Sequence, residues 1–239
     1  MEGIAVHALT KRYGRIIAVD DLSFALEPGR VTGFVGRNGA GKTTTLRILL
    51  GLTSATSGTA TVDGRRYTEL RDPLRHVGAL IDPDCFHPGR TGRNAIRAIA
   101  RLGRISDSRV DEVLDLVDLT GAAGRRVGGY SLGMRQRLAL ATALIGDPAT
   151  LVLDEPANGL DPDGVRWLRS LIRGLGDQGR SVLVSSHLLA ELAQTVDDVI
   201  VIERGRLVAH DRVASLAGTG TESLEDVFLR LTATVKEPS

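Results

Sequence analysis

One ten-residue stretch constrains the fold of this chain more than any other. It reads GRNGAGKTTT, from Gly36 to Thr45, and it directly follows the apolar run VTGFV. The run is predicted to be a buried strand, and TTTLRILLGL has the apolar spacing of a helix. A strand, a glycine loop and a helix in that order bring backbone N–H groups and a helix N-terminus to one place, which favours phosphate binding over an ordinary glycine-rich turn. The fixed positions of the pattern G-x-x-x-x-G-K-[ST] are occupied by Gly36, Gly41, Lys42 and Thr43.

The choice of cation in this loop is a second indication of phosphate. Among 30 basic side chains only three are lysines, namely Lys11, Lys42 and Lys236. A compact ammonium on a thin stem reaches between phosphate oxygens, where a broad planar guanidinium fits badly. In a chain that otherwise uses arginine, position 42 is therefore predicted to need lysine.

Composition limits the classes of function. Thirty basic against 29 acidic side chains give a formal net charge of +1, which predicts no broad electrostatic surface for nucleic acid. A single cysteine, Cys85, excludes an internal disulfide and a cysteine metal cage. No segment resembles a signal peptide, and no apolar run approaches the ~20 residues that span a bilayer. If the protein works at a membrane, we expect another chain to supply the span.

The periodicity predicts an α/β fold. The apolar runs TLVLD (150–154) and SVLVSS (181–186) have a helical pattern between them at Val165 to Leu175, as in a parallel sheet with crossover helices. TATVDG and VIVIERGRLVAHD are predicted to be short strands, the second as a hairpin. The glycine loop occurs once, so we expect one nucleotide-binding unit.

The middle and the end of the chain have helical patterns. Residues 83–145 include RVDEVLDLVDL and are predicted to form a helical subdomain inserted in a sheet core made of residues 1–82 and 146–239. The segment SLEDVFLRLT is predicted to be a helix whose apolar face packs on the core. The residues on that face are Leu224, Val227, Phe228 and Leu231.

Two adjacent carboxylates, Asp154 and Glu155, follow the predicted strand LVLD. Ligands of open α/β sheets bind at the carboxyl ends of the strands. Because Mg²⁺ prefers oxygen ligands, Asp154 is predicted to hold this ion together with the Thr43 hydroxyl, usually through water. Glu155 would then orient or deprotonate an attacking water. The alternative for DEP is a solvated turn after a strand, which the nearby phosphate loop disfavours.

Two further side chains are candidates for the site. His187 follows SVLVSS and is therefore predicted at the same edge of the sheet, although a histidine there also fits a local hydrogen-bonding role. Tyr13, in KRYG, offers a ring face to a nucleotide base, and the alternative is a half-buried tyrosine at a sheet edge.

The order of five motifs resembles the ATP-binding subunit of ABC transporters. The motifs are GRNGAGKT, SLGMRQR, LVLDEP, GLD at 159–161 and SSH ending at His187. The resemblance covers nearly all of the chain. It implies the P-loop NTPase fold, with a RecA-like, mostly parallel sheet core, an antiparallel β subdomain and the inserted helical subdomain.

The resemblance also implies which residues of one copy hold ATP and Mg²⁺. Tyr13 would stack on adenine, Glu155 would be the general base, and His187 would contact the γ-phosphate and position the water. Lys42 would offset phosphate charge during phosphoryl transfer. The nucleotide-binding residues implied within the loop are Gly36, Asn38, Gly39, Ala40, Gly41, Lys42, Thr43 and Thr44.

A second copy would complete each site, since two such domains pack head to tail around two ATP molecules. Ser131 would bond the γ-phosphate across the interface, and the helix starting near Gly133 would point its positive end at the same anion. Asp161 would help to join the two sites.

Two departures from the commonest family pattern point to one branch. The usual L-S-G-G-Q is replaced by YSLGM, which keeps the serine and the second glycine. In VGALID, Asp82 stands where a glutamine is usual, and its carboxylate can still bind Mg²⁺ or water. Both changes resemble the ATPase subunits of bacterial exporters of the drug, antibiotic and lantibiotic class (ABC-2 type). TGRNAI lacks the glutamate of the T-x-R-E-N-L that the family often has in the helical subdomain, so the contact with the permease is expected to differ there.

These inferences predict an ATPase that dimerises on the cytoplasmic face of a bacterial membrane and powers export of a drug-, antibiotic- or lipid-like compound through a separate permease. One alternative is a soluble ABC ATPase acting on ribosomes or DNA, although such relatives usually have two ATP-binding halves or long coiled coils. Others are an import ATPase and a regulatory subunit without turnover. The full set of expected residues opposes the regulatory subunit. We expect no nucleic-acid partner.

Overall fold

The computed structural model describes residues 3–187, 192 and 194–216, and its framework is two β-sheets. The strands are β1 (Ile4–Tyr13), β2 (Ile16–Ala25), β3 (Val31–Val35), β4 (Ser57–Val62), β5 (Val77–Leu80), β6 (Thr150–Leu153), β7 (Ser181–Ser186), β8 (Asp198–Glu203) and β9 (Arg206–Arg212). The helices are α1 (Lys42–Leu49), α2 (Pro73–His76), α3 (Gly92–Leu102), α4 (Asp107–Leu116), α5 (Leu132–Leu144), α6 (Pro162–Asp177) and α7 (Val213–Leu216). The predicted helical face from Leu224 to Leu231 lies outside the described residues.

The larger sheet has six strands in the order β5-β6-β7-β3-β8-β9. All neighbours pair in parallel except β8 and β9, which form the predicted antiparallel hairpin. The prediction of a mostly parallel core is therefore confirmed. Since β7 lies between β3 and β6, the chain segments that follow these three strands emerge side by side at one edge of the sheet.

The smaller sheet is antiparallel, in the order β2-β1-β4, and it confirms the expected antiparallel β subdomain. It packs against the larger sheet through aromatic side chains. The rings of Phe24 in β2 and Phe34 in β3 have centroids 5.5 Å apart and are tilted by 46°. This contact brings the smaller sheet next to the strand that leads into the glycine loop.

Alternation along the parallel strands separates two apolar layers. In β7, Val182 and Val184 face the cluster formed with α3 to α6, whereas Leu183 faces the cluster formed with α1 and the smaller sheet. Strands covered on both faces are therefore apolar at nearly every position, which is why they are visible in the sequence. Burying each aliphatic side chain of this kind stabilises the folded state by about 1.5–3 kcal/mol relative to leaving it exposed.

The segment from 83 to 145 contains α3, α4 and α5 and two short 3₁₀ turns. Its described part has no strand beyond an isolated bridge between Thr91 and Arg126. Helix α5 also packs tightly on β5, because a Cβ at Gly78 would lie 2.0 Å from the carbonyl oxygen of Ala143. The end of α5 thus contacts the sheet core, and the boundaries at 83 and 145 stay a prediction.

Strand β5 is the element of the large sheet that the sequence did not predict. It has only four residues, VGAL, and lies at the edge of the sheet beside β6. Its apolar run is too short to distinguish a strand from part of a helix. Within the described ranges, no helix has the length and apolar character needed to cross a membrane.

Candidate nucleotide-binding site

The glycine loop between β3 and α1 has a backbone that excludes larger residues at two points. Gly41, directly before α1, has a φ of +104°, and a Cβ there would lie 2.4 Å from the carbonyl oxygen of Ala18. A Cβ at Gly36 would lie 2.5 Å from the carbonyl oxygen of Ile202. The loop therefore packs directly against the backbone of β2 and β8, which fixes its position at the end of β3.

Lys42, the first residue of α1, lies inside this loop with its side chain 6% exposed. Its Nζ donates to the carbonyl oxygen of Gly36 at 2.6 Å and to that of Arg37 at 3.4 Å. The same nitrogen lies 3.4 Å from Oε1 of Glu155. The first turn of α1 has no acidic residue, so the positive end of the helix dipole acts on the same space. The loop thus concentrates positive charge where a phosphate group would bind.

Asp154 and the Thr43 hydroxyl are brought together as predicted. Thr43 Oγ1 donates to Oδ2 of Asp154 at 2.6 Å, and the Ser185 hydroxyl donates to the other carboxylate oxygen. Asp154 is 6% exposed, and its backbone N–H donates to the carbonyl oxygen of Leu80 at 2.8 Å. A buried carboxylate beside a hydroxyl fits Mg²⁺, which takes its remaining ligands from water and phosphate oxygens. Accordingly, no group of three or more His, Cys, Asp or Glu side chains in the described ranges is arranged to hold a metal by itself.

Glu155 turns the chain at the end of β6. Its φ is +46°, a left-handed conformation that costs a non-glycine residue about 1–3 kcal/mol. Its backbone N–H donates to the Ser185 hydroxyl at 2.9 Å. Neighbouring side chains on a strand point to opposite faces, and this turn lets Asp154 and Glu155 approach the same site.

The Glu155 carboxylate connects the histidine to the lysine. One oxygen, Oε2, accepts from Nδ1 of His187 at 2.8 Å, while the other lies 3.4 Å from Nζ of Lys42. The Glu155 side chain is 20% exposed and that of His187 is 37% exposed, so both remain accessible to a water molecule. This arrangement suits a base that is oriented by a neighbouring histidine.

One cavity is shared by Lys42, Thr43, Glu155 and His187. Besides Glu155 and His187 it is lined by Asn158, by Ala18 and by consecutive residues of the glycine loop. The loop residues on its wall are Arg37, Asn38, Gly39, Ala40, Gly41, Lys42, Thr43 and Thr44. Gly36 is behind this wall and contributes the carbonyl oxygen that holds Lys42.

Sequence reasoning missed two residues of the site, Ser185 and Gln136. Ser185 links the Asp154 carboxylate to the backbone N–H of Glu155, as described above. Gln136 of α5 is 1% exposed, and its Nε2 donates to the carbonyl oxygen of Pro156 at 2.9 Å. The available signals were the polar SSH directly after an apolar run and one polar residue in the buried part of a helix. Neither signal identifies its partner without the strand order.

The predicted signature residues are not on the wall of the phosphate cavity. Ser131 is exposed and caps α5, with its hydroxyl accepting from the N–H of Met134 at 3.2 Å. Asp161 caps α6 in the same way, accepting from the N–H of Gly164 at 2.8 Å. The two helix starts are neighbours, because a Cβ at Gly133 would lie 3.3 Å from the carbonyl oxygen of Gly159. They present a second surface on the same chain.

Tyr13 and Asp82 also lie outside the cavity wall. Tyr13 ends β1 and is 47% exposed, with Lys11 Nζ 4.7 Å from its ring centroid. Asp82 follows β5, and its Oδ1 accepts from the N–H of Asp84 at 2.9 Å. It lines an apolar groove with Leu52, Tyr67, Phe86 and Cys85. A metal-binding role for Asp82 stays a prediction, because its carboxylate is not part of the hydrogen-bonded pair formed by Thr43 and Asp154.

The groove also contains the one cysteine of the sequence. Burial raises the pKa of the Cys85 thiol, and the negative charge of Asp82 raises it further.

The fold and the cavity define the class of this protein: it is a P-loop nucleotide-binding protein. The family model described as ABC transporter matches residues 19–158, which is more than half of the chain. The chain therefore belongs to the ABC transporter family, and the resemblance predicted from the order of its motifs is confirmed.

Curated relatives fall in the predicted branch of the family. The chain is 41% identical over 198 residues to an uncharacterized ABC transporter ATP-binding protein, YhcH, of Bacillus subtilis, with 82% of this chain and 65% of the relative covered. It is 41% identical over 203 residues to the bacitracin transport ATP-binding protein BcrA of Bacillus licheniformis, covering 84% and 66%. It is 33% identical over 225 residues to the lantibiotic transport ATP-binding protein SrtF of Streptococcus pyogenes, covering 94% and 95%. The chain thus spans about two thirds of the first two relatives and nearly all of the third.

Solved structures show the same fold. An ATP-binding subunit of an ABC transporter superposes with a TM-score of 0.85 at 23% identity, with 95% of this chain and 98% of the other covered. A dimeric ATP-binding cassette in a post-hydrolysis state, bound to ADP and Pi, gives a TM-score of 0.79 at 21% identity, covering 88% and 98%.

Proposed function

We propose that this chain is the ATP-hydrolysing subunit of a bacterial exporter that works with a separate membrane permease. The observation that carries the proposal is the convergence of Lys42, Glu155 and His187 on one cavity. Asp154 joins this group through the Thr43 hydroxyl, which lines the same cavity. Each position supplies a group that phosphoryl transfer to water needs.

In this proposal the Lys42 ammonium leaves the Gly36 carbonyl oxygen and the Glu155 carboxylate and binds the β- and γ-phosphates of ATP instead. Glu155 is then free to accept a proton from the attacking water, while its contact with His187 fixes its orientation. Thr43 and Asp154 would hold Mg²⁺, which neutralises the charge that develops on the phosphate oxygens.

A second copy would complete each site. Ser131, the N-cap of α5, is exposed and is not on the wall of its own chain's phosphate cavity, so it can contact the γ-phosphate bound to another copy. Asp161, on the neighbouring helix start, would link the two sites, and Tyr13 would stack on the adenine. A solved cassette with the same fold is dimeric, which supports the pairing of two copies.

The permease would dock in the apolar groove that contains Asp82 and Cys85. Leu52 on its wall is 65% exposed and adjoins the apolar side chains of Tyr67 and Phe86, and a contiguous apolar patch of this kind marks a protein interface. The names of the relatives connect this branch with transport of bacitracin and lantibiotics. We therefore place the protein at the cytoplasmic face of the membrane and assign it an amphipathic, antibiotic-like substrate.

Affinity purification from detergent-solubilised native membranes tests the proposal. The wild-type chain and Leu52→Glu are tagged, purified in parallel, analysed by mass spectrometry and assayed for ATP hydrolysis. We expect the wild-type chain to retain a polytopic membrane protein that Leu52→Glu loses, while both chains hydrolyse ATP. Recovery of ribosomal or DNA-associated proteins alone would contradict the export function and support the soluble alternative. Recovery of an extracytoplasmic solute-binding protein with the permease would support import.

A further inference from the structure

A continuous path of polar contacts links Asp82 to the signature helix α5. Asp82 Oδ1 accepts from the N–H of Asp84 at 2.9 Å. Asp84 Oδ1 accepts from Nε of Arg135 at 2.6 Å, and Nη1 of Arg135 donates to the carbonyl oxygen of Tyr130 at 2.8 Å. Tyr130 directly precedes Ser131, the N-cap of α5. The path therefore joins the wall of the apolar groove to the residue proposed to meet a second copy's ATP.

The side chain of Tyr130 fixes one end of this path. It is 4% exposed, and its hydroxyl donates to the carbonyl oxygen of Ala122 at 2.8 Å. A Cβ at Gly92 would lie 2.2 Å from the same hydroxyl, so α3 leaves the ring no room to move. With the ring anchored, the direction of the Ser131 hydroxyl depends on how the Tyr130 carbonyl group is held, and Arg135 holds it.

The other end of the path is short and local. A carboxylate that accepts the N–H two residues further on forms the compact Asx turn typical of aspartate. The longer glutamine side chain usual at position 82 does not close the same small ring. The aspartate thus couples its own position to that of Asp84 and hence to Arg135.

The ion pair in the middle is at the surface. The side chain of Arg135 is 29% exposed and that of Asp84 is 64% exposed. Water screens such a pair, so it adds little to folding stability. The Arg135 guanidinium instead bonds Asp84 through Nε and the Tyr130 carbonyl oxygen through Nη1, so one planar group orients both partners.

We propose that Arg135 is a positioning residue that transmits the position of the Asp82 loop to Ser131. A permease segment that displaces this loop changes the hold of Arg135 on Tyr130, and so changes how well Ser131 reaches the ATP of the second copy. The inference rests on the proposed function and deepens it, since it assigns a route by which permease contact regulates hydrolysis.

A double-mutant cycle on the purified full-length chain tests the proposal. The variants are Asp84→Ala, Arg135→Ala and the pair, with Asp84→Glu as the conservative rescue. The matched control is Asp111→Ala, which removes the exposed ion pair between α4 and Arg93 of α3, where Asp111 is 58% exposed. Each chain is measured for ATP affinity, hydrolysis rate and thermal midpoint.

We expect Asp84→Ala and Arg135→Ala to lower the hydrolysis rate about threefold to tenfold relative to Asp111→Ala, as the loss of one orienting contact would. The pair should be no slower than Arg135→Ala alone, because both changes break one path. Asp84→Glu should recover most of the rate, and neither ATP affinity nor the midpoint should differ from the control.

Rates equal to that of Asp111→Ala, additive losses, or losses matched by a lower midpoint would overturn the positioning role. These outcomes are distinct from failure of the proposed function. A wild-type chain without ATP hydrolysis would contradict that function, whereas an active wild-type chain with unaffected variants overturns only the path through Arg135.

Discussion

The phosphate cavity differs from the signature surface, which is formed by the helix starts at Ser131 and Asp161. The difference lies in how firmly the chain itself holds the side chains in place. Around the cavity, Lys42 and Asp154 are each 6% exposed, and their contacts come from the ends of three adjacent strands. On the signature surface, Ser131 is exposed, and the one hydrogen bond described for its hydroxyl is the helix cap to Met134. One surface is pre-organised within the chain, and the other has donors directed to solvent.

This difference indicates that the two regions have different roles. The cavity needs no second copy to position its lysine, carboxylates and histidine, so nucleotide binding is expected to be a property of the monomer. Under the proposed function, the exposed start of α5 acts only when another copy brings a phosphate to it. Changes in the two regions should therefore separate binding from hydrolysis.

Glu155→Gln should produce the largest effect on the cavity side. The amide keeps the shape of the side chain but cannot accept a proton, so we expect the hydrolysis rate to fall about 10²- to 10⁴-fold with ATP affinity nearly unchanged. Steady-state hydrolysis and equilibrium ATP binding measure the two quantities. Glu112→Gln, an exposed carboxylate on α4, is the control. Near-normal hydrolysis in Glu155→Gln would show that another group is the base.

Lys42→Ala should weaken ATP binding itself. Removing a buried cation from a charge-paired site should lower the affinity about 100-fold. Lys42→Arg keeps the charge, but it puts a broad planar guanidinium at a position where the lysine is only 6% exposed, so we expect most of the affinity to be lost there too. Retained affinity in either variant, measured by calorimetry, would contradict the phosphate loop.

Asp82→Gln should have a small effect, because Asp82 is not on the cavity wall. We expect the basal hydrolysis rate of the isolated chain to change less than about threefold, the range of one screened surface contact. Its coupling to a reconstituted permease should change more. A collapse of basal hydrolysis, measured with saturating Mg²⁺, would instead place this carboxylate in the metal site.

The smallest expected effect is on the reactivity of Cys85. Burial, followed by the charge of Asp82, raises the thiol pKa, which lowers the thiolate fraction at a given pH. Removing the charge with Asp82→Asn should lower that pKa and speed alkylation by iodoacetamide at pH 8 by a factor of about two to three. An unchanged rate would show that Asp82 does not face the groove.

The cavity could be predicted from the sequence for a physical reason. The glycine loop, Lys42 and the carboxylate pair belong to short motifs whose geometry is fixed by a strand end and a helix start. The strands around them are apolar at nearly every position because both faces are covered, so the core strands could also be predicted from the sequence.

Contacts between distant segments could not be predicted in this way. Ser185 bonds Asp154 only because β7 lies beside β6, and the strand order is not written in local periodicity. The left-handed turn at Glu155 is likewise absent from any propensity for glutamate. The link from Asp84 to Arg135 joins residues 51 positions apart, and short β5, from which its loop starts, gave no strand signal.

The central claim is that Ser131 of one copy completes the ATP site of another, and light scattering of Glu155→Gln with and without ATP tests it most directly. Two further changes are compared in that background. Ser131→Ala and Thr91→Ala each remove a hydroxyl that caps a helix in the 83–145 segment, and each loss costs about 1 kcal/mol of helix stability. We predict an ATP-dependent dimer in Glu155→Gln that persists with Thr91→Ala and is lost or strongly weakened with Ser131→Ala. Equal dimerisation of the two double variants would contradict the account, because Ser131 would then be a helix cap and nothing more.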